Sequence, residues 1–282
     1  TGGKKLASFT LVKSTFNALW VESLKKPLNA ISCSLVFNLN FLKSNSSFFI
    51  SKTTLFSVIS LRGKSTVSSL IYHSLILSGY NVALVWNIGT PVLQEIDVLK
   101  DHNYDYIVYE LSSYMLEWFC PRLYIWYINN IHECHLDWHQ SMPIYSQAKY
   151  NVFTNAQHTI SHSSLEKGMV KFPNKAWYSY SKNMFYRHEE AFMDDSNVLL
   201  LWEHNRINIC WVLSVLECII HDTKKIKNAV QETLKNFKPL AHRLENIGTY
   251  DNITFIDDGI AVTPEATIAA IVSLEESVQT LL

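Results

Sequence analysis

Residues 62–66 have the sequence RGKST and lie between an apolar run at residues 55–59 and a helical pattern that runs from Val67 to Leu77. A strand followed by a Gly-Lys-Ser turn and a helix is the layout of a phosphate-binding loop, whose backbone N–H groups hold phosphate oxygens at the helix N-terminus. The lysine meets the outer phosphates, and a hydroxyl reaches the magnesium ion. The pattern predicts an ATP site with the loop residues Gly63, Lys64, Ser65 and Thr66.

The loop alone leaves a second interpretation open. Ser60 stands where a short Gly-x-x-Gly-Lys loop would have its first glycine, and Val58 fits a longer form no better. An ordinary strand-to-helix turn with a surface lysine therefore explains these residues equally well. The rest of the chain has to decide between the two.

The composition narrows the class of protein. With 282 residues, 48% of them hydrophobic, the chain can bury a full core in one large or two smaller domains. A net charge of −1 argues against nucleic-acid and membrane-surface binding, since both need a basic excess. Five scattered cysteines without a Cys-x-x-Cys pair argue against a disulfide framework or a structural zinc site. The apolar stretch at residues 207–220 is shorter than the roughly 20 residues that span a bilayer. We expect a soluble cytoplasmic protein.

Apolar strands alternate with helical segments after the loop. This alternation predicts an α/β fold with a parallel sheet covered on both faces, whose ligands bind at the carboxyl ends of the strands. The predicted strands are residues 55–59, 81–85, 106–109 and 123–128. The later elements are a helix within residues 143–157, short aromatic-rich strands through Tyr186, helices at 205–221 and 224–237, a hairpin, and a helix that starts near Pro264.

The chain divides into three predicted parts. Residues 1–52 read as a shortened N-terminal domain followed by a Ser-, Asn- and Lys-rich linker, and residues 53–238 as a central ATP-binding domain. Residues 239–282 form the third part, which the family resemblance given below implies to be the start of a truncated C-terminal domain. Because the chain starts at Thr1 and the first strand of an α/β unit is absent, we expect the N-terminus to be incomplete or trimmed.

Several polar residues are candidates for chemistry. Glu110 ends a strand beside the predicted loop, where a carboxylate can bind magnesium, although a solvated glutamate is the simpler interpretation. Lys149 is by default a solvated lysine. A polar cluster follows the fourth strand, and we interpret it as a loop with one functional histidine because no complete tetrahedral ligand set is evident. Its members are His132, His135, Asp137 and His139.

Taken together, the motifs resemble the Mur ligase family. Within that family, the resemblance favours the branch that adds D-glutamate to UDP-N-acetylmuramoyl-L-alanine in peptidoglycan synthesis. The motifs occur in the family's order: RGKST (62–66), NIGTP (87–91), ELSSYMLE (110–117), HLDWH (135–139), QAKYNVF (147–153), HNRIN (204–208), HRLE (242–245), FIDD (255–258) and PEATIAA (264–270).

The resemblance implies a Mur-ligase-type central ATPase domain with partial N-terminal, UDP-binding-type and C-terminal α/β domains. It implies ATP-dependent amide formation through an acyl phosphate, with ATP and Mg²⁺ as cofactors. The implied partners are UDP-N-acetylmuramoyl-L-alanine and D-glutamate, with no nucleic acid and no membrane, and we expect a monomer.

The resemblance also assigns roles to single residues. The catalytic group would be Lys64, His135 and Lys149, the last of these carbamylated by carbon dioxide. The magnesium ligands would be Ser65, Glu110, His135 and carbamylated Lys149. The substrate would contact Asn87 and Ser112. Besides the loop, the nucleotide would contact Asn205, Asn208, Arg243 and Asp258.

The chain departs from the family pattern at several positions. Ser60 and Trp202 replace glycines, and Val85 and Trp86 replace small residues. Cys134 replaces an aspartate, and Gly259-Ile260 replaces a serine and a lysine. Glycines at such sites allow positive φ or close approach of a ligand, so bulky replacements threaten both. A non-catalytic relic or nucleotide-binding module is therefore the alternative to an active ligase. An unrelated phosphate-loop kinase or ATPase is a third interpretation.

Overall fold

The structure is a computed structural model. It describes residues 54–59, 63–85, 104–116, 123–128, 133, 136–150, 156–161, 177–196, 198, 203–238, 240–259, 261 and 264–274. The predicted N-terminal domain at residues 1–52 lies outside these ranges.

A parallel sheet of five strands forms the centre of the described part of the chain. Its strands are β1 (Thr54–Ile59), β2 (Val82–Val85), β3 (Tyr106–Glu110), β4 (Leu123–Ile128) and β5 (Ala156–Ser161). The order across the sheet is β2-β3-β1-β4-β5, and every pairing is parallel. The chain therefore moves to one side of β1 for β2 and β3 and to the other for β4 and β5. The predicted α/β fold with a parallel sheet is confirmed.

The fifth strand was not predicted from the sequence. β5 has the sequence AQHTIS, which contains neither an apolar run nor a clear alternation of polar and apolar residues. It lies at an edge of the sheet and pairs only with β4 among the described strands. Because an edge strand has a neighbour on one side only, it needs less apolar surface than a central strand.

Among the described residues, two long helices pack on the parallel sheet and a third packs on those two helices. They are α1 (Lys64–Leu77), α5 (Glu203–Glu217) and α6 (Thr223–Asn236), and α1 packs against both others. α1 begins three residues before the predicted start because the turn of the loop ends at Gly63. Fully or almost fully buried side chains of the common core include Leu70, Leu75, Tyr127, Leu213 and Val230.

In the described part of the chain, three shorter helices connect strands of the parallel sheet. They are α2 (Ser113–Leu116), α3 (Leu136–His139) and α4 (Met142–Tyr150), and α4 packs against α2. The predicted helix that carries Lys149 is therefore present. It ends at Tyr150, however, whereas residue 157 at the end of the predicted stretch belongs to β5.

Two small antiparallel sheets complete the described structure. The first consists of β6 (Tyr178–Ser181), β7 (Met184–Arg187) and β8 (Glu190–Asp194), of which β8 was not predicted. The second is the hairpin of β9 (Glu245–Tyr250) and β10 (Ile253–Asp257), followed by α7 (Pro264–Leu274). The predicted hairpin and the helix near Pro264 are thus confirmed. Over the described ranges, no helix combines the length and the apolar character needed to cross a bilayer.

Candidate functional site

The turn between β1 and α1 depends on a glycine. Gly63 has φ 76°, in the left-handed region, and it caps the N-terminus of α1. A Cβ atom at this position would lie 2.8 Å from both Nδ2 and Oδ1 of Asn208, which is closer than van der Waals contact allows. The turn therefore needs glycine both for its backbone angle and for its contact with α5.

Glu110 lies next to this turn because of the strand register. β3 pairs with β1 so that Glu110 is opposite Val58, close to the carboxyl end of β1. The side chain of Glu110 is 1% exposed. Burial raises the pKa of its carboxyl group, while the positive charge of Lys64, a hydrogen bond from Ser65 and the charge of Arg243 oppose that rise. The carboxylate is therefore held in a buried and locally positive environment.

Arg243 connects the C-terminal segment with the start of α1. Its Nη2 donates a hydrogen bond of 3.1 Å to the Oγ atom of Ser65. Burial lowers the pKa of the guanidinium, and the charges of Glu110 and Asp258 act in the opposite direction. Two predicted nucleotide contacts, Ser65 and Arg243, and one predicted magnesium ligand, Glu110, therefore converge at one place.

Two asparagines of α5 border the same turn. Nδ2 of Asn208 donates a hydrogen bond of 3.3 Å to Oδ1 of Asn205, and both side chains are buried. Since Asn208 also faces Gly63, α5 brings both amides to the glycine turn. Thr66 is buried in the first turn of α1, 7% exposed.

Asp258 lies just beyond β10 and is held by the segment that carries Arg243. Its Oδ1 accepts a hydrogen bond of 3.2 Å from the backbone N–H of Leu244. Burial raises the pKa of the Asp258 carboxyl group, and the Leu244 N–H group and the charge of Arg243 oppose the rise. The predicted contacts Arg243 and Asp258 are thus neighbours in the fold.

Lys149 is buried, not solvated, which corrects the simplest interpretation of this residue. It is 1% exposed, and its Nζ atom lies 4.7 Å from the ring centroid of Tyr145 on the same helix. The ring of Tyr145 is in turn 5.3 Å from that of His139, and both of these side chains are buried. Its helix, α4, packs against α2, which follows Glu110 in the chain. Lysine is almost never fully buried unless it is paired.

The remaining predicted site residues are placed differently. Ser112 lies between β3 and α2, is half-buried, and its backbone carbonyl accepts a hydrogen bond from Leu116 N–H. Asn87 and His135 lie outside the described residues. So do the replaced family positions Ser60, Trp86, Cys134, Trp202 and Ile260.

The oxygen groups at the turn suit a magnesium ion. Magnesium prefers oxygen ligands and is usually held by one or two carboxylates together with substrate phosphates. Oε2 of Glu110 accepts no hydrogen bond from any residue that the structure describes, although it is buried. Ser65 supplies a hydroxyl oxygen beside this carboxylate. Ser65 and Glu110 would thus hold the ion, and its charge would offset the burial of the carboxylate.

The sheet order, the glycine turn before α1 and the carboxylate at the end of β3 define an α/β domain of the phosphate-loop type. Residues 62–209 match the family model described as the Mur ligase middle domain, which is more than half of the chain. The chain belongs to the Mur ligase family, and the resemblance of the ordered motifs is confirmed.

Similar sequences include glutamate ligases for both enantiomers. The UDP-N-acetylmuramoyl-L-alanine--L-glutamate ligase of Xanthomonas euvesicatoria is 31% identical over 76% of this chain and 47% of its own length. The UDP-N-acetylmuramoylalanine--D-glutamate ligase of Clostridium tetani is 30% identical over 79% of this chain and 51% of its own length. The chain thus spans about half the length of these relatives.

Solved structures with the same fold are more distant in sequence. The MurF ligase of Thermotoga maritima in complex with ADP has a TM-score of 0.62 at 15% identity, covering 87% of this chain and 61% of its own. A bifunctional folylpolyglutamate synthase/dihydrofolate synthase with Mn, AMPPNP and L-glutamate bound has a TM-score of 0.65 at 14% identity. That match covers 90% of this chain and 76% of the other. At these identities the likeness shows the fold alone.

Sequence reasoning missed three features of the site. It did not predict the hydrogen bond between Arg243 and Ser65, which are 178 positions apart. It also gave no role to His242 and Asp257, whose side chains meet at 2.6 Å. Each of these two residues directly precedes a predicted nucleotide contact in the sequence. This adjacency could have identified them as candidate site residues.

Proposed function

We propose that the protein to which this chain belongs is an ATP-dependent ligase that adds D-glutamate to UDP-N-acetylmuramoyl-L-alanine. The observation that carries the proposal is the convergence of Ser65, Glu110 and Arg243 at the Gly63–Lys64 turn in a member of the Mur ligase family. ATP transfers its γ-phosphoryl group to the substrate carboxylate, which gives an acyl phosphate and ADP. The amine of glutamate then attacks the acyl carbon and displaces phosphate, which forms the amide bond. The assignment to the D enantiomer rests on the motifs NIGTP, ELSSYMLE, and HRLE followed by FIDD.

The residues of the chain divide the work of phosphoryl transfer. Lys64 neutralises negative charge on the outer phosphates, and the N-terminus of α1 holds phosphate oxygens through its backbone N–H groups. Ser65 and Glu110 hold a divalent cation, supplying one hydroxyl and one carboxylate oxygen. Arg243 adds a second fixed positive charge, since its guanidinium already lies at the Ser65 hydroxyl. These charges favour the transition state, in which negative charge is spread over the transferred group.

The remaining predicted residues surround this centre in the proposal. Thr66, Asn205, Asn208 and Asp258 contact the nucleotide, and Asn87 and Ser112 contact the muramoyl substrate. His135 and Lys149 belong to a second magnesium site. We also propose the division of the chain at residues 1–52, 53–238 and 239–282, supported by the separate hairpin sheet that begins at Glu245.

Nucleotide binding is the first test, and it uses the chain alone. We expect binding of Mg-ADP in calorimetry, with Lys64→Ala weakening the affinity roughly tenfold or more, because a charged hydrogen bond to phosphate is removed. Lys224→Ala is the matched control, since this lysine is exposed on α6. Glu110→Gln is expected to reduce the gain in affinity that magnesium gives over a chelated sample. Equal affinities for the wild type and Lys64→Ala would contradict the proposed site.

Turnover is the second test. The chain is joined to the C-terminal domain of a D-glutamate ligase of the family, and phosphate release from Mg-ATP is measured with UDP-N-acetylmuramoyl-L-alanine and either enantiomer of glutamate. We expect release that requires both substrates and is faster with D-glutamate. Release with L-glutamate but not with D-glutamate would show that the L enantiomer is the substrate. Release no faster than that of a Lys64→Ala control would favour a nucleotide-binding module without ligase activity. That alternative is favoured by Gly259 and Ile260, which stand where the family has a serine and a lysine.

Carbamylation of Lys149 has its own measurement. A carbamate would turn a buried ammonium group into an anionic oxygen ligand, which suits a site with magnesium ions. In protein equilibrated with ¹³C-labelled carbon dioxide, we expect a carbamate carbon signal that is absent from Lys149→Ala. A signal that persists in this variant would assign the modification to another amine.

A further inference from the structure

The segment that carries Arg243 is held by two contacts of His242. The backbone N–H of His242 donates a hydrogen bond of 2.9 Å to Oε2 of Glu245. Its side-chain Nδ1 lies 2.6 Å from Oδ2 of Asp257, an ion pair when the imidazole is protonated. These contacts fold residues 242–245 back onto the end of β10.

The two members of the ion pair each precede a residue of the proposed nucleotide site. Arg243 follows His242, and Asp258 follows Asp257. A second pair of bonds continues the connection: Leu244 N–H donates to Asp258 at 3.2 Å, and Gly259 N–H donates to Asp257 at 2.8 Å. The ion pair therefore ties together the two backbone segments from which Arg243 and Asp258 extend.

The backbone of this segment would not keep its shape without such contacts. His242 and Leu244, on either side of Arg243, have φ angles of 61° and 49°. Residues other than glycine rarely adopt these left-handed angles, and they persist only where surrounding contacts fix them. The direction of the Arg243 side chain therefore depends on bonds made by its neighbours.

We propose that the His242–Asp257 ion pair is a positioning element that holds Arg243 at the hydroxyl of Ser65, so that breaking the pair weakens nucleotide binding. Neither residue touches the Ser65 hydroxyl in the described contacts, and both act through Arg243. The inference rests on the proposed nucleotide site and adds to it two residues with a defined task.

The ion pair gives nucleotide binding a pH dependence. The carboxylate of Asp257 raises the pKa of His242 above its ordinary value through a hydrogen bond and its charge, with a smaller contribution from Glu245. Within the residues that the structure describes, these carboxylates, on β10 and β9, are the charged groups that act on the imidazole. His242 in turn lowers the pKa of Asp257. His242 carries its positive charge only when the imidazole is protonated. The ion pair is therefore complete below the ordinary histidine pKa of about 6.5, and it is lost as the pH rises through the raised pKa of His242.

The experiment measures Mg-ADP affinity of the 282-residue chain against pH. His242→Asn removes the ion pair while keeping a residue that tolerates positive φ. We expect it to weaken binding about three- to fivefold near pH 6 and to differ little from the wild type near pH 9. His221→Asn, which changes an exposed histidine outside this segment, is the matched control and should leave the affinity unchanged. A difference between His242→Asn and the wild type that is independent of pH would overturn the inference.

A second variant separates positioning from a general effect on folding. In an Arg243→Ala background, His242→Asn should have no further effect, because the pair acts through the guanidinium. A full additional loss of affinity would show that His242 acts by another route. If the wild type does not bind Mg-ADP at all, the proposed function fails, and a measurement without nucleotide still decides the inference.

That measurement is hydrogen exchange of the backbone amides at residues 242–245. The N–H groups of His242 and Leu244 are hydrogen-bonded in the wild type, so their exchange reports whether the segment stays folded back. We expect faster exchange in His242→Asn and in Asp257→Asn, with α6 unchanged. Unchanged exchange at residues 242–245 in both variants would contradict the positioning role.

Discussion

Replacing Gly63 with alanine separates two reasons for a glycine at the phosphate loop. The first is the φ angle of 76°, which in an L-residue disfavours folding by about 1–2 kcal/mol. The second is the contact with Asn208, whose amide atoms would lie 2.8 Å from the new Cβ. Asn208 is 3% exposed and cannot move into solvent, so this overlap adds about 1–3 kcal/mol. We expect Gly63→Ala to lower the free energy of unfolding by about 2–5 kcal/mol.

The chain offers a matched control in Gly79. Its φ angle is 84°, and a Cβ there would meet nothing within 4 Å. Gly79→Ala therefore carries the backbone penalty without the contact. Since alanine stiffens the unfolded chain equally at both positions, that effect cancels in the comparison. The difference between the two variants, about 1–3 kcal/mol, measures the overlap with Asn208.

Urea unfolding followed by tryptophan fluorescence gives both free energies. The double variant Gly63→Ala/Asn208→Ala, compared with Asn208→Ala alone, should recover the contact part and leave a loss similar to that of Gly79→Ala. If Gly63→Ala destabilises no more than Gly79→Ala, the close approach of α5 to the loop is refuted. A loss that the double variant does not reduce would place the overlap elsewhere.

Three further predictions concern the scaffold. Leu70→Ala, which truncates a side chain that is 1% exposed, should destabilise by about 2–5 kcal/mol in urea unfolding, whereas Leu77→Ala on the exposed face of α1 should change stability by less than about 0.5 kcal/mol. Burial raises the pKa of Cys210 and Cys218 to about 12, so a disulfide reagent at about pH 8 should modify neither thiol in the folded protein and both in denaturant, as peptide mass mapping would show. Asp222→Ala removes the side chain that accepts two backbone N–H bonds at the start of α6 and should lower the unfolding free energy by about 1 kcal/mol.

The sequence predicted the strands and helices whose buried residues form a continuous apolar run or a helical apolar pattern. β3 and β4 each have a neighbouring strand on both sides, and their apolar runs predicted them from the sequence. β5 (AQHTIS) and β8 (EAFMD) escaped because polar residues interrupt both sequences, so neither shows an apolar run. The edge strand β2 (VALV) was predicted because it has such a run. The helical pattern from Val67 to Leu77 predicted α1. Its start at Lys64 was missed because the first three residues of the helix, Lys-Ser-Thr, are polar.

The site was predictable only in part, for a different reason. A motif identifies residue types. The motifs predicted roles for Lys64, Glu110 and Arg243, but they did not predict which of these side chains are in contact. The burial of Lys149 and the bond from Arg243 to Ser65 depend on packing between distant segments, which spacing along the chain does not encode. The roles given to the site residues stay predictions until binding is measured.

The register of β3 determines how the chain can tolerate insertions and deletions. Glu110 reaches the loop because it pairs opposite Val58 at the end of a strand whose last four residues are all buried. Deleting one residue within β3 would draw the carboxylate back by about 3.3 Å and turn it to the opposite face of the sheet. Length changes in this strand should therefore be excluded among relatives that keep the carboxylate, even when every residue type of the motif survives.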